Sequence, residues 1–214
     1  MASPFQIYRT TVGKKFVMAI SGMILVAFVL VHMLGNLLVY VGPRAINDYS
    51  ALLHKEPALL ITGRVILLVA LGIHVLIAIQ LCARNRGARG GSYMRKERLA
   101  TTCGAGAMMT TGALVALFVL YHLLHFSLGS AHPNSVPGDV YQNLVQGLKN
   151  PMVSLVYVAG VVILCLHLRR GIANMRQSLG LIHPAGDRLA GALVFLIAAG
   201  YISIPIGVMA RILE

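Results

Sequence analysis

Four histidines carry the chemistry that this chain can do: His32 in VLVHMLGN, His74 in LGIHVLIA, His122 in VLYHLLHF and His167 in LCLHLRRG. Each stands in a different long apolar run, and successive ones are 42, 48 and 45 residues apart. A titratable ring in hydrocarbon is costly and faces a bundle interior, where something pairs with it. A single such ring is most simply a core histidine hydrogen-bonded to a carbonyl. One on each of four successive runs points instead to ligation of iron in haem, which helix bundles hold between facing side chains. The chain has no CxxCH, so the haem expected here is held non-covalently.

The elements that must position these rings are helices in a membrane. Of the 214 residues, 57% are hydrophobic and 11% charged, with a mean hydropathy of +0.79. A span needs about 20 mostly apolar residues, and five runs qualify, roughly 16–41, 58–83, 100–129, 151–170 and 188–210. They are too long for barrel strands and lack period-2 alternation. The fold class expected is therefore all-α, an integral membrane bundle of five transmembrane helices enclosing two b haems. Residues 1–214 are expected to form one transmembrane cytochrome b domain.

The net charge of +12 could suggest nucleic acid, but its placement argues for topology instead. The arm with Arg9, Lys14 and Lys15, the 84–98 loop and the 169–188 segment hold 13 of the 18 basic residues on one side. Arg44, Lys55, Arg64, Lys149 and Arg211 remain for the other. The positive-inside rule then makes the N-terminus cytoplasmic and the C-terminus external.

Taken in order, residues 1–15 read as a short amphipathic piece on the cytoplasmic face. Gly42-Pro43 ends the first span, and RAINDYSALLHKEP is a short outer segment before Pro57, which suits a helix start. The outer stretch SAHPNSVPGDVYQNLVQGLKN, with two prolines and two glycines, is expected to be irregular. Pro151 opens the fourth span, and Pro205 is expected to kink the fifth. No internal repeat is evident. Cys82, Cys103 and Cys165 read as small buried apolar residues.

Alternating topology converts position into depth. His32 and His122 lie about 10–12 Å below the outer boundary, and His74 and His167 about 25 Å below it. The four sort into an outer pair, His32 with His122, and an inner pair, His74 with His167, about 15 Å apart. His125, one turn from His122, could replace it as ligand. His122 is preferred, with His125 as a hydrogen-bonding neighbour. His132 and His183 precede prolines and read as solvated. Arg64 lies at the depth of the outer pair, either snorkelling or facing an anion such as a haem propionate.

The segments VHMLGNLLVYVGPRAINDY, FVLYHLLHF, DVYQNLVQGL and LHLRRGIANMRQSLG, with His74 between the first two, extend over nearly the whole chain. In them the chain resembles the cytochrome b558-type membrane subunit of succinate dehydrogenase and fumarate reductase, in the single-chain, five-helix, di-haem class. The resemblance implies a membrane anchor that passes electrons between an iron–sulfur partner and a membrane quinone in a bacterial inner membrane. Its ligand positions fall on His32, His74, His122 and His167. It also implies a flavoprotein and an iron–sulfur subunit on the cytoplasmic face, two haem b groups and a quinone, menaquinone favoured over ubiquinone. The succinate or fumarate chemistry would lie on the flavoprotein, since this chain has no FAD or iron–sulfur motif. One departure is Cys165, two residues before His167, where some two-haem members carry a glutamate linked to proton movement. The expected quinone site is external, near His54 and Glu56, where titratable groups meet the membrane boundary. The competing readings are a cytochrome b of a hydrogenase or formate dehydrogenase complex, and a haem-free helical membrane protein.

Overall fold

A computed structural model describes residues 10–87, 100–132, 134–181, 183 and 185–214. Within them every regular element is a helix: α1 (Thr11–Leu37), α2 (Pro43–Lys55), α3 (Pro57–Gly87), α4 (Ala100–His122), α5 (Val140–Leu148), α6 (Pro151–Ser178) and α7 (Gly186–Met209). Five of them, all but the short α2 and α5, are long and apolar enough to cross a membrane. The chain is a multi-pass helical membrane protein. Large apolar side chains such as Leu68, Leu117 and Phe195 stand exposed on the outer faces, as lipid-facing positions do.

The sequence places the helix starts by capping. Thr10 accepts from Gly13 N at 2.9 Å, and Asn150 accepts from Met152 N at 2.9 Å with Pro151 at the first helical position. Pro43 and Pro57 likewise open α2 and α3, where a missing N–H costs nothing. Gly42 turns the chain between α1 and α2 with φ of 129°, a value that a side chain resists. Pro205 lies inside α7 as expected.

The long helices outrun the apolar stretches that announce them. α1 begins at Thr11, α3 reaches Gly87 and α6 reaches Ser178, because polar and basic end residues continue a helix into the interface. Thr11–Lys15 are therefore the first turns of α1 and not a separate surface piece. Lys14 is buried and donates to Gln80 Oε1 on α3. Residues 1–9 and the basic stretch 88–99 lie outside the described residues.

α1, α6 and α7 pack together at the centre, α3 lies against α1, and α4 lies against α6. The upper end of this bundle holds α2, α5 and the C-terminus, and the lower end holds the start of α1. α5 corrects the expectation of irregular structure after Ser130. Asp139 caps it by accepting from Gln142 N at 3.0 Å, and Leu144, Val145 and Leu148 bury against Val39, Ile46, Ile204 and Leu213. A capped nine-residue segment with one apolar face gains more by docking on the bundle than its prolines and glycines cost in the flanking turns. Asn47 ties the two short helices together, donating to Asp139 Oδ1 and accepting from Tyr141 N, both at 3.0 Å.

Candidate functional site

The four histidines meet in two pairs at two levels. The His32 ring on α1 lies 5.7 Å from the His122 ring on α4, centroid to centroid, with an interplanar angle of 83°. The His74 ring on α3 lies 6.5 Å from the His167 ring on α6, at 72°. Neither α1 with α4 nor α3 with α6 is among the closely packed helix pairs. The backbones stand apart, and the imidazoles reach into the space between them.

Around the upper pair the walls are aromatic. Phe28 stacks on His32 at 5.2 Å, Tyr201 lies 6.3 Å from it, and Phe118 and Tyr157 lie 6.3 and 6.1 Å from His122. Tyr201 donates to Val29 O at 2.8 Å, which locks α7 to α1 beside this site. α7 supplies walls and no histidine of its own.

The lower pair has a different second layer. Ser21 Oγ on α1 lies 3.2 Å from His74 Nδ1, and Thr111 Oγ1 on α4 lies 3.2 Å from His167 Nδ1. Each hydroxyl also bonds a carbonyl of its own helix, Ser21 to Met18 O at 3.0 Å and Thr111 to Ala107 O at 2.7 Å. Each ring rests on a glycine. A methyl group at Gly22 would meet His74 Cε1 at 3.4 Å, and one at Gly112 would meet His167 Cε1 at 3.3 Å.

These equivalences expose an internal repeat that reading the chain from end to end does not suggest. Residues 21–32, SGMILVAFVLVH, match residues 111–122, TGALVALFVLYH. Gly22/Gly112, Phe28/Phe118, Val29/Val119, Leu30/Leu120 and His32/His122 are identical, and Ser21/Thr111 is a hydroxyl in both. α1 with α3 and α4 with α6 are thus two packed helix pairs that share this segment and set its hydroxyl and glycine against a histidine of the second helix. Each histidine pair takes one ring from each helix pair. Serine or threonine to histidine is eleven residues in both copies, so the two levels lie about 16 Å apart along the helix axes.

No family model, curated protein or solved structure matches the chain. The site therefore rests on its own chemistry.

That chemistry fits haem iron. Imidazole nitrogen binds a first-row metal at about 2.0 Å, so one ion held by two opposed rings sets their centroids about 6 Å apart. Both pairs lie at this separation. Among the described residues no three histidine, cysteine or acidic side chains converge. Each level thus offers two imidazole nitrogens from different helices that would hold a haem iron, with aromatic neighbours at the upper level.

The remaining sequence-singled residues lie apart. His125 follows His122 by three residues yet faces elsewhere, because Leu123–Ser127 form a π-helical turn closed by Leu128 N to Leu123 O at 2.8 Å. In a wider turn three residues no longer bring a side chain back to the same face. His125 is buried, with Nδ1 2.9 Å from Tyr157 OH, and stacks on His132 at 5.0 Å and 18°. His132 corrects the expectation of a solvated loop residue: it is buried. α5 folds over it, its Nε2 donates to Asn143 O at 2.9 Å, and its Nδ1 accepts from Asn134 N at 3.3 Å. His183 is exposed, as expected.

Arg64 is exposed on α3, ten residues above His74, near the upper pair's level. His54 and Glu56 are exposed where α2 gives way to α3, and His54 Nδ1 donates to Ser50 O at 2.8 Å. Cys165 is buried between α6 and α7, its Sγ 3.8 Å from Val194 O. Cys82 is half-buried, and the Cys103 side chain lies outside the described residues. Ser21, Thr111 and their glycines are the site residues that reading the histidines alone overlooks. The twelve-residue match is the signal that finds them.

Proposed function

We propose that this chain is a di-haem cytochrome b that anchors a succinate:quinone oxidoreductase in a bacterial inner membrane. The observation that carries the haem reading is the pair of level-matched histidine couples, each joining rings from two helices that do not pack closely. His32 and His122 would hold one haem and His74 and His167 the other, and the bound haems would supply reversible one-electron transfer. The chain's own residues set the ligand nitrogens, exclude water with Phe28, Phe118, Tyr157 and Tyr201, and present basic ends at the lower face. Arg64 is a candidate partner for a propionate of the upper group.

The succinate assignment rests on the segment resemblance. It implies a flavoprotein and an iron–sulfur partner on the lower, cytoplasmic face, with the C-terminus outside. The quinone, in this reading, approaches the upper end beside His54 and Glu56, whose exposed titratable groups suit exchange of protons with water. Replacing each and assaying quinone-linked against dye-linked turnover tests that placement, and full quinone activity in both variants refutes it.

The haem reading is tested by a pyridine haemochrome assay and a reduced-minus-oxidised spectrum of the purified chain. Two b haems per chain are expected. His32→Ala or His122→Ala should remove the upper one, and His74→Ala or His167→Ala the lower one, while His125→Leu keeps both. One haem in the wild type, or none, overturns it. Co-purification of a flavoprotein and an iron–sulfur protein tests the wider assignment, and their absence from the intact membrane complex refutes it.

A further inference from the structure

The two levels differ in what holds their imidazoles. Among the described residues the rings of His32 and His122 make no hydrogen bond and lie between aromatic neighbours, whereas both rings of the lower pair meet a hydroxyl at Nδ1. A hydroxyl has one hydrogen. With the Ser21 hydrogen on Met18 O and the Thr111 hydrogen on Ala107 O or Met108 O, each oxygen offers the neighbouring ring a lone pair. In that arrangement Nδ1 of His74 and of His167 carries the ring proton, and the free lone pair of each ring is on Nε2.

The same device occurs twice, on equivalent residues, and each time across a packed helix pair: Ser21 on α1 serves His74 on α3, and Thr111 on α4 serves His167 on α6. A methyl group on Gly22 would lie 3.4 Å from His74 Cε1, in ordinary contact, and one on Gly112 would lie 3.3 Å from His167 Cε1, slightly tight, so each ring edge lies close to the glycine beside its hydroxyl. The arrangement does what a carboxylate or carbonyl does behind a metal-bound histidine. It fixes tautomer and ring plane and makes the ligand nitrogen a stronger donor.

We infer that Ser21 and Thr111 are positioning residues that set the tautomer and donor strength of the lower histidine pair alone, and so tune one of two redox centres. This inference rests on the di-haem reading. A hydroxyl that accepts from Nδ1–H gives the imidazole partial imidazolate character, which favours the oxidised metal. Its removal should therefore raise the midpoint potential of the lower centre and leave the upper one where it was.

The test uses Ser21→Ala and Thr111→Val in the full chain, with Ser21→Thr and Thr111→Ser as conservative partners. Redox titration of the haem bands and low-temperature electron paramagnetic resonance follow each centre separately. The centre lost in His74→Ala marks which signal is the lower one. Expected are an upward shift and a changed low-spin signal for that centre in both hydroxyl-less variants, an unchanged upper centre, and recovery in the conservative variants. Equal shifts of both centres, no shift in either, or loss of haem that the conservative variant does not restore would overturn the inference. Nitrogen-15 histidine spectra of the haem-free chain give a second readout. The Nδ1–H tautomer at His74 should depend on Ser21 and that at His167 on Thr111. Should the wild type bind no haem, the di-haem reading fails, and these spectra still decide whether the hydroxyls fix the tautomer.

Discussion

Gly147→Ala is a sharp test of how α5 seals the upper end. Gly147 is buried on α5, and a methyl group there would come within 2.9 Å of His125 Cε1 and 3.0 Å of both His132 Nε2 and Phe126 Cε1. None of these rings can yield cheaply. His125 is tied to Tyr157 OH at 2.9 Å, and His132 is bonded at both nitrogens. α5 must lift by several tenths of an ångström, and overpacking of this kind costs about 1–3 kcal/mol. Alanine returns about 1 kcal/mol of helix propensity, and less so near a helix end. The balance is a loss of about 1 kcal/mol, or roughly 2–4 °C in Tm for a chain of this size. Gly191→Ala is the control, because a methyl group on that glycine meets nothing within 4 Å. It should keep the propensity gain. The assay is heat-driven exposure of Cys165 to a thiol-reactive dye in detergent, with Cys82 and Cys103 replaced. A Gly147→Ala chain that melts with or above Gly191→Ala would refute the packing argument.

Tyr157→Phe should destabilise the same region by about 1–3 kcal/mol, since it leaves His125 Nδ1 buried without its partner; an unchanged Tm would refute this. Asp139→Ala should cost about 1 kcal/mol by removing the α5 cap, whereas Asp139→Asn should keep most of it. The Gln142 N–H, and then the Asn47 amide, hold the Asp139 carboxyl below its ordinary value of 3.8. Its contribution is thus fully present above that pH and is lost as pH falls through the lowered folded value. Melting curves from pH 6 to pH 3 should therefore show an acid loss in the wild type that Asp139→Asn lacks, and parallel curves would refute the linkage.

Much of the site was legible because a membrane makes helix position a ruler. His32 and His122, and His74 and His167, were paired by depth alone, and the rings meet in those couples. His122, preferred over His125 as the ligand, is the ring that meets His32, and His125 bonds Tyr157 instead. The signals that failed were local ones. Prolines and glycines around residues 133–138 announced irregular chain and hid the capped helix that follows, and a proline neighbour made His132 look solvated. Ser21 and Thr111 are not singled out by the histidines, because nothing in the residues beside them shows that a ring from another helix stops there.

By itself the sequence determined that the chain crosses a membrane several times as helices, that prolines open two of them at Pro57 and Pro151, and which histidines share a level. These follow from apolar length, capping chemistry and a constant rise per residue, all of which act along the chain. Only the tertiary structure decided which faces meet. Helical rotation and the packing of α1 with α3 and α4 with α6 put a hydroxyl behind each lower imidazole. α5 closes over His132. The hydroxyl contacts join residues 53 and 56 positions apart, and no local pattern encodes the angle at which two helices settle.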